Sequence, residues 1–232
     1  MAPIFSEASA SPARSRSSND VAEILRRAIV AGELAPNERL VELDLARDLM
    51  TNRAVVRGAL AQLEQQRLVV REPNRGVRVR AFTAEEAVEI LETRAMLEGL
   101  VAQRAARNID ATGVAKLADI LRAMHGCRDA GDLLAYSQLN SQFHRAILEI
   151  GRHETAAMLL SGLQTQAVRY QFRTVLEPGR IARSLAEHEA IFAALRAHDE
   201  AAAESAMQAH VRAVAETVRS IRSDASHALK AM

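Results

Sequence analysis

The sequence predicts a mainly helical protein in two parts: a small α+β unit reaching to about residue 80, then an all-α helical bundle. Three observations point there. Helical spacing dominates the first 66 residues, period-two alternation replaces it briefly between Leu68 and Arg80, and helical spacing returns from Thr83 to the end. With 232 residues the chain can bury a core without disulfide or metal staples.

The opening stretch, MAPIFSEASASPARSRSSND, has no apolar run suited to a signal peptide, and its Ser, Ala and Pro predict a flexible arm over residues 1–18. DVAEILRRAIVAG then sets Val21, Ile24, Leu25, Ala28 and Ile29 at helical spacing, with Gly32 as the stop signal. ELAPNERLVE contains a Pro-Asn turn and a short apolar stretch, and LDLARDLM reads as a short helix carrying Leu45, Ala46 and Leu49 on one side. In TNRAVVRGALAQL, Asn52 is a suitable N-cap for a helix over 53–66. Val56, Ala59, Leu60 and Leu63 form its apolar stripe, while Arg53, Ala54, Arg57, Gly58 and Ala61 occupy much of the other side. LVVREPNRGVRVR follows as a hairpin, with Gly76 supplying the permissive backbone at its tip.

Thr83-Ala84-Glu85-Glu86 is a capping box that opens a helix to about residue 107, and Asp110 starts another. Gly131, Gly151 and Pro178-Gly179 punctuate further helices near 132–150, 153–176, 180–198 and 200–225. The expected organisation is therefore an arm over 1–18, a helix-turn-helix with a hairpin wing over 19–80, and a helical domain over 83–226.

Charge distribution adds function to this outline. The net charge is only +1, yet residues 50–80 hold seven arginines against Glu64 and Glu72. Small residues beside Arg53 and Arg57 let a backbone come close to a partner, and a guanidinium fork fits phosphate oxygens or the guanine edge. Two cations on one helix usually mean a solvated face. The ordered set of helix, short helix, capped arginine helix and arginine-bearing hairpin points instead to double-stranded DNA.

The residues AIVAGELAPNERLVELDLAR, NRAVVRGALAQLE and PNRGVRV resemble the DNA-binding domain of the GntR family of bacterial transcription regulators. The resemblance implies that Asn52, Arg53, Ala54 and Arg57 meet DNA and that Arg75 and Gly76 form the wing tip. Asn37, Met50, Gly58 and Arg67 stand where the family usually has Gly, Gly, Glu and Gly, and Asn52 stands where Ser or Thr is usual. ETRAMLEG, LNSQFHRAI, SLAEHEAIFAAL and AMQAHVRA resemble the sensor of the FadR-type branch, the FCD domain.

By that resemblance Asn140, His144, His188 and His210 form a metal site, often with an aspartate where Asn140 stands. Nitrogen-dominated ligands favour a divalent transition ion of the zinc or nickel kind. Without the motifs, scattered histidines would be ordinary core or surface residues, and His125, His153, His198 and His227 belong to no motif. Arg94 and Glu98 are spaced for an i, i+4 pair, with Arg94 a candidate for the ligand pocket.

The expectation is a cytoplasmic homodimer, not an enzyme. It reads a near-palindromic operator and acts as a repressor relieved by a small organic acid. Lone Cys127 fits a reducing compartment, and no segment approaches the length of an apolar membrane span. Two alternatives stand beside this reading. One is a metal-dependent hydrolase using the three histidines, although no HExxH pair is present; the other is a constitutive dimeric DNA-binding protein without a ligand.

Overall fold

A computed structural model describes residues 16–73 and 75–230. Residues 1–15 of the expected arm, and Asn74 in the hairpin tip, lie outside the described residues. The chain divides between Phe82 and Thr83 into two compact units.

In the first unit, α1 spans Ser18–Ala31. Its start lies earlier than Asp20 because Ser17 and Asp20 form a capping box: the Ser17 hydroxyl accepts from the Asp20 N–H, and the Asp20 carboxylate accepts from the Ser17 N–H. Gly32, left-handed at φ 84°, ends it. The short helix α2 covers Glu42–Asp48 and α3 covers Arg53–Gln65. Asn52 caps α3 through Oδ1, which accepts the Val55 N–H at 3.0 Å.

Three strands complete the unit: β1 (Arg39–Leu40), β2 (Val69–Glu72) and β3 (Gly76–Val79), in the order β1-β3-β2 and antiparallel throughout. The β2–β3 hairpin is the expected one. Strand β1 is additional, because a two-residue segment carries no period that a sequence can reveal. Val21, Leu25, Leu34, Val56, Leu60, Leu63 and Val77 meet in one core.

Asn37, Met50 and Arg67 all hold left-handed backbones, at φ 65°, 47° and 58°. These are the places where the resembling family usually has glycine, so the turns persist here on residues with a Cβ. Each keeps its turn hydrogen bond, from Asn37 N to Val79 O, Met50 N to Arg47 O and Arg67 N to Glu64 O.

The second unit is built from α4 (Ala84–Asn108), α5 (Ala111–Ala130), α6 (Leu133–Gly151), α7 (Glu154–Val175), α8 (Arg180–Arg196) and α9 (Glu200–Lys230). The capping box at Thr83 and Glu86 is present in both directions. Asp110 and Asp132 cap α5 and α6 through their carboxylates. Leu91, Leu117, Met124, Phe143, Ile147, Leu185, Ile191 and Leu195 are buried in a single apolar core. Among the described residues no helix is long and apolar enough to cross a membrane.

Candidate functional site

Each unit presents a group of side chains that packing alone does not explain. On α3, the apolar stripe of Val56, Ala59, Leu60 and Leu63 faces the core. That leaves Asn52, Arg53, Ala54 and Arg57 exposed, with about 60% of the Arg53 and 62% of the Arg57 side chain open to solvent. Both guanidinium groups converge on one acid. Glu42, at the start of α2, places Oε2 3.6 Å from Arg53 Nη2 and 3.3 Å from Arg57 Nη2. Glu42 carried no mark in the sequence, since it lies on another helix and outside the arginine run.

Gly58 corrects the helical wheel. It faces the first turn of α1 rather than the arginine side: a Cβ there would stand 2.6 Å from Ser18 Oγ and 3.2 Å from Ser18 Cβ. Its lack of a side chain lets α1 approach α3. At the hairpin, Arg75 is exposed and Gly76 takes φ 86°, opposite Glu72 in the ladder. Arg71 pairs with Glu64 at 3.4 Å, and Arg78 pairs with Glu72 at 3.4 Å and donates to Asn37 O at 2.9 Å. The arginines of this segment are thus divided between internal pairs on the wing and the exposed α3 face.

In the second unit α6, α8 and α9 each contribute one histidine to the bundle interior: His144, His188 and His210. One potential ligand nitrogen from each lies within 4.8 Å of the other two. His144 Nε2 and His210 Nε2 are 3.2 Å apart, and the His188 and His210 ring centres are 4.4 Å apart. The outer nitrogens are held by carboxylates. His144 Nδ1 lies 2.7 Å from Glu98 Oε2, and His210 Nδ1 lies 2.7 Å from Glu187 Oε2.

Each of those acids is held in turn by an arginine. Arg94 reaches Glu98 Oε1 at 2.6 and 2.8 Å, and Arg180 reaches Glu187 at 2.9 and 3.2 Å. The i, i+4 pair of Arg94 and Glu98 is therefore formed, and it serves His144. Glu187 and Arg180 escaped sequence reading: Glu187 adjoins His188 in the chain but supports His210 across the bundle.

This arrangement fixes the chemistry of the nitrogens. A carboxylate on Nδ1 assigns the proton there, so both Nε2 atoms carry lone pairs and face each other. Neither nitrogen of fully buried His188 has a partner. Leaving such a buried polar atom unsatisfied costs about 1–3 kcal/mol. Burial, reinforced by the neighbouring histidines, lowers the His188 and His210 pKa values well below the usual imidazole range, so both are neutral. Burial alone would raise the Glu98 pKa, but Arg94 and His144 outweigh it and hold the carboxyl well below its usual range. For Glu187, burial outweighs Arg180 and raises the pKa. Neutral imidazoles with converging lone pairs and orphaned nitrogens fit a transition-metal ion.

A cavity of about 40 Å³ adjoins the cluster, lined by Tyr136, Asn140, Thr174, Val175, Arg180, Ile181, Ser184, His210 and Val214. Asn140, one helical turn before His144, thus stands on the cavity wall beside His210. Arg94, 2% exposed, reaches the cluster only through Glu98. His125 pairs with Glu189 and His198 bonds Ala106 O, both away from the cluster. His153 lies near the Ala156 N–H, while the His227 side chain is outside the described residues.

Comparison with known proteins bears on both groups. Residues 17–79 match the family described as bacterial regulatory proteins, gntR family, and residues 89–213 match the FCD domain. The HTH-type transcriptional repressor RspR of Escherichia coli K12 is 28% identical over 203 residues, spanning 88% of this chain and 89% of that protein. The HTH-type transcriptional repressor GlaR of the same organism is 30% identical over 197 residues, spanning 81% of this chain and 89% of that protein. A GntR transcriptional regulator structure from Rhodococcus sp. RHA1 superposes with TM-score 0.69 at 26% identity, covering 88% of this chain and 97% of that one.

Proposed function

This chain belongs to the gntR family of bacterial regulatory proteins and carries an FCD domain, and from that premise we propose that it is a cytoplasmic, ligand-responsive repressor. As a transcription regulator it is not the metal-dependent hydrolase that three histidines also suggested. Repression is supported by the names of the two relatives, both called repressors.

On DNA, Arg53 and Arg57 reach the major groove from the exposed face of α3, with Asn52 and Ala54 close to the backbone. Arg75 and Gly76 lie along the neighbouring groove as the wing tip. Contact with DNA draws both arginines away from Glu42, which steadies them in the free protein. A homodimer presents two such helices to a near-palindromic operator.

In the FCD domain His144, His188 and His210 hold a divalent ion of the zinc or nickel kind, with Asn140 beside them. When bound, that ion supplies a Lewis-acidic centre for an oxygen of a small organic acid. Glu98 and Glu187 orient two of the imidazoles, and Arg94 and Arg180 hold those carboxylates in place. The observation that carries the reading is His188: both of its nitrogens are buried and unpartnered where two other imidazoles converge.

The test begins with selection of an operator from a random duplex library. Anisotropy titrations follow, with metal-loaded and chelator-treated protein and a panel of carboxylates. A selected sequence whose affinity falls in the presence of metal and one carboxylate is the expected result. No enriched sequence would overturn operator reading. Affinity indifferent to metal and to every carboxylate would reduce the protein to a constitutive DNA binder.

A further inference from the structure

The charges around the histidines balance before any ion is present. Glu98 is paired with Arg94 and Glu187 with Arg180, while His188 and His210 are neutral and Asn140 is an amide. A divalent ion therefore adds two positive charges to a buried region whose nearby acids are both already neutralised. Burying uncompensated charge is costly, so ion binding alone is weak there.

The cavity beside His210 contains a second unmet demand. Arg180 is 3% exposed and lines that cavity, and its Nε–H is buried without an acceptor. Its Nη2 and His210 Nδ1 both bond Glu187 Oε2, at 2.9 and 2.7 Å, so guanidinium and imidazole lie only a few ångströms apart. Tyr136, Ser184 and Asn140 add hydroxyl and amide groups to the wall, and Val175, Ile181 and Val214 add apolar surface suited to a short methylene spacer.

We propose that the ion and a short dicarboxylate bind this chain as one cooperative unit, with one carboxylate at the ion and the other accepting from Arg180. The inference rests on the metal reading above and adds to it the charge of the effector, its second anchor and a mutual dependence. Linkage makes the coupling reciprocal: if the dianion strengthens ion binding, the ion strengthens dianion binding by the same factor.

The experiment titrates the metal-stripped full-length chain with nickel against a competing chromophoric chelator at fixed ionic strength. Separate titrations contain no carboxylate, acetate, malonate or succinate. Malonate or succinate is expected to raise nickel affinity by about tenfold, within the usual range for coupled sites, and acetate by less. Dicarboxylates also bind nickel in solution, so a rise runs against their background effect. Asn140→Asp supplies an anion from the protein and is expected to tighten nickel binding without carboxylate while shrinking the coupling. Arg180→Lys keeps a cation beside Glu187 but removes the planar fork, and is expected to erase the advantage of dicarboxylate over acetate. Nickel binding that no carboxylate alters overturns the coupling while leaving the metal site standing. Acetate matching both dicarboxylates overturns the Arg180 anchor. Failure to bind nickel in every titration overturns the metal reading itself, and this inference with it.

Discussion

Met50→Gly is expected to stabilise the DNA-binding unit. Met50 forms the turn between α2 and α3 with φ 47°, a conformation that costs a residue with a Cβ about 1–2 kcal/mol. Glycine removes that cost but adds about 0.5–1 kcal/mol of chain entropy to be lost on folding. The Met50 side chain is 84% exposed, so truncation forfeits little burial, and the bond from its N–H to Arg47 O at 3.1 Å is a backbone bond that glycine retains. The balance favours glycine by about 0.5–1 kcal/mol. Hydrogen exchange followed by mass spectrometry on the Val56–Leu63 segment of α3 reads this locally. Under conditions where exchange reports opening free energy, it should slow about two- to fivefold. Asn37→Gly provides an internal comparison with a smaller gain, because asparagine tolerates the left-handed region better. Unchanged or faster exchange in the Met50 variant would refute the assignment of strain to this turn.

Arg57→Ala should weaken operator binding by about 1–3 kcal/mol if the contact is a bidentate base contact, and a gel-shift titration at fixed salt measures it; unaltered binding would remove α3 from the reading role. His188→Ala should lower the metal content found by elemental analysis while leaving operator binding in place, and a full metal load in the variant would displace His188 from the ligand set. In chelator-treated protein, stability of the helical unit should fall on acidification. Burial depresses the folded-state pKa of His188 and His210, so their contribution is present above the unfolded value near 6.5 and is lost as pH falls below it. Each imidazole contributes a slope of up to about 1.4 kcal/mol per pH unit in that window. Urea midpoints followed by circular dichroism that do not change between about pH 7.5 and 5.5 would contradict the sign.

Much of the fold could be read along the chain because its signals are local. The cap at Asn52, the box at Thr83 and Glu86, and the stripe of Val56, Ala59, Leu60 and Leu63 each lie within one or two helical turns. Strand β1 was invisible because its pairing with β3 joins residues almost forty positions apart. Gly58 misled because a wheel gives direction without neighbours, and Ser18 is the neighbour that decides its role. The histidines were found through motif resemblance, since they come from three helices and share no spacing. Their supporting groups were harder to see: Glu98 was legible as a partner of Arg94 but not of His144. Arg180, Glu187 and Glu42 act across the fold on residues that periodicity does not connect to them.

The matched Arg94–Glu98–His144 and Arg180–Glu187–His210 chains bear on what the cage is when nothing fills it. In small zinc-dependent domains the ion is the staple, and removing it unfolds the chain. Here Leu91, Leu117, Leu185, Ile191 and Leu195 are each at most 1% exposed, and complete burial of such a side chain contributes roughly 1.5–3 kcal/mol. The bundle has that reserve before an ion arrives, and its buried acids already have counter-charges. Vacancy is therefore a second folded condition of the same architecture. An ion that is not needed as mortar is free to serve as a message.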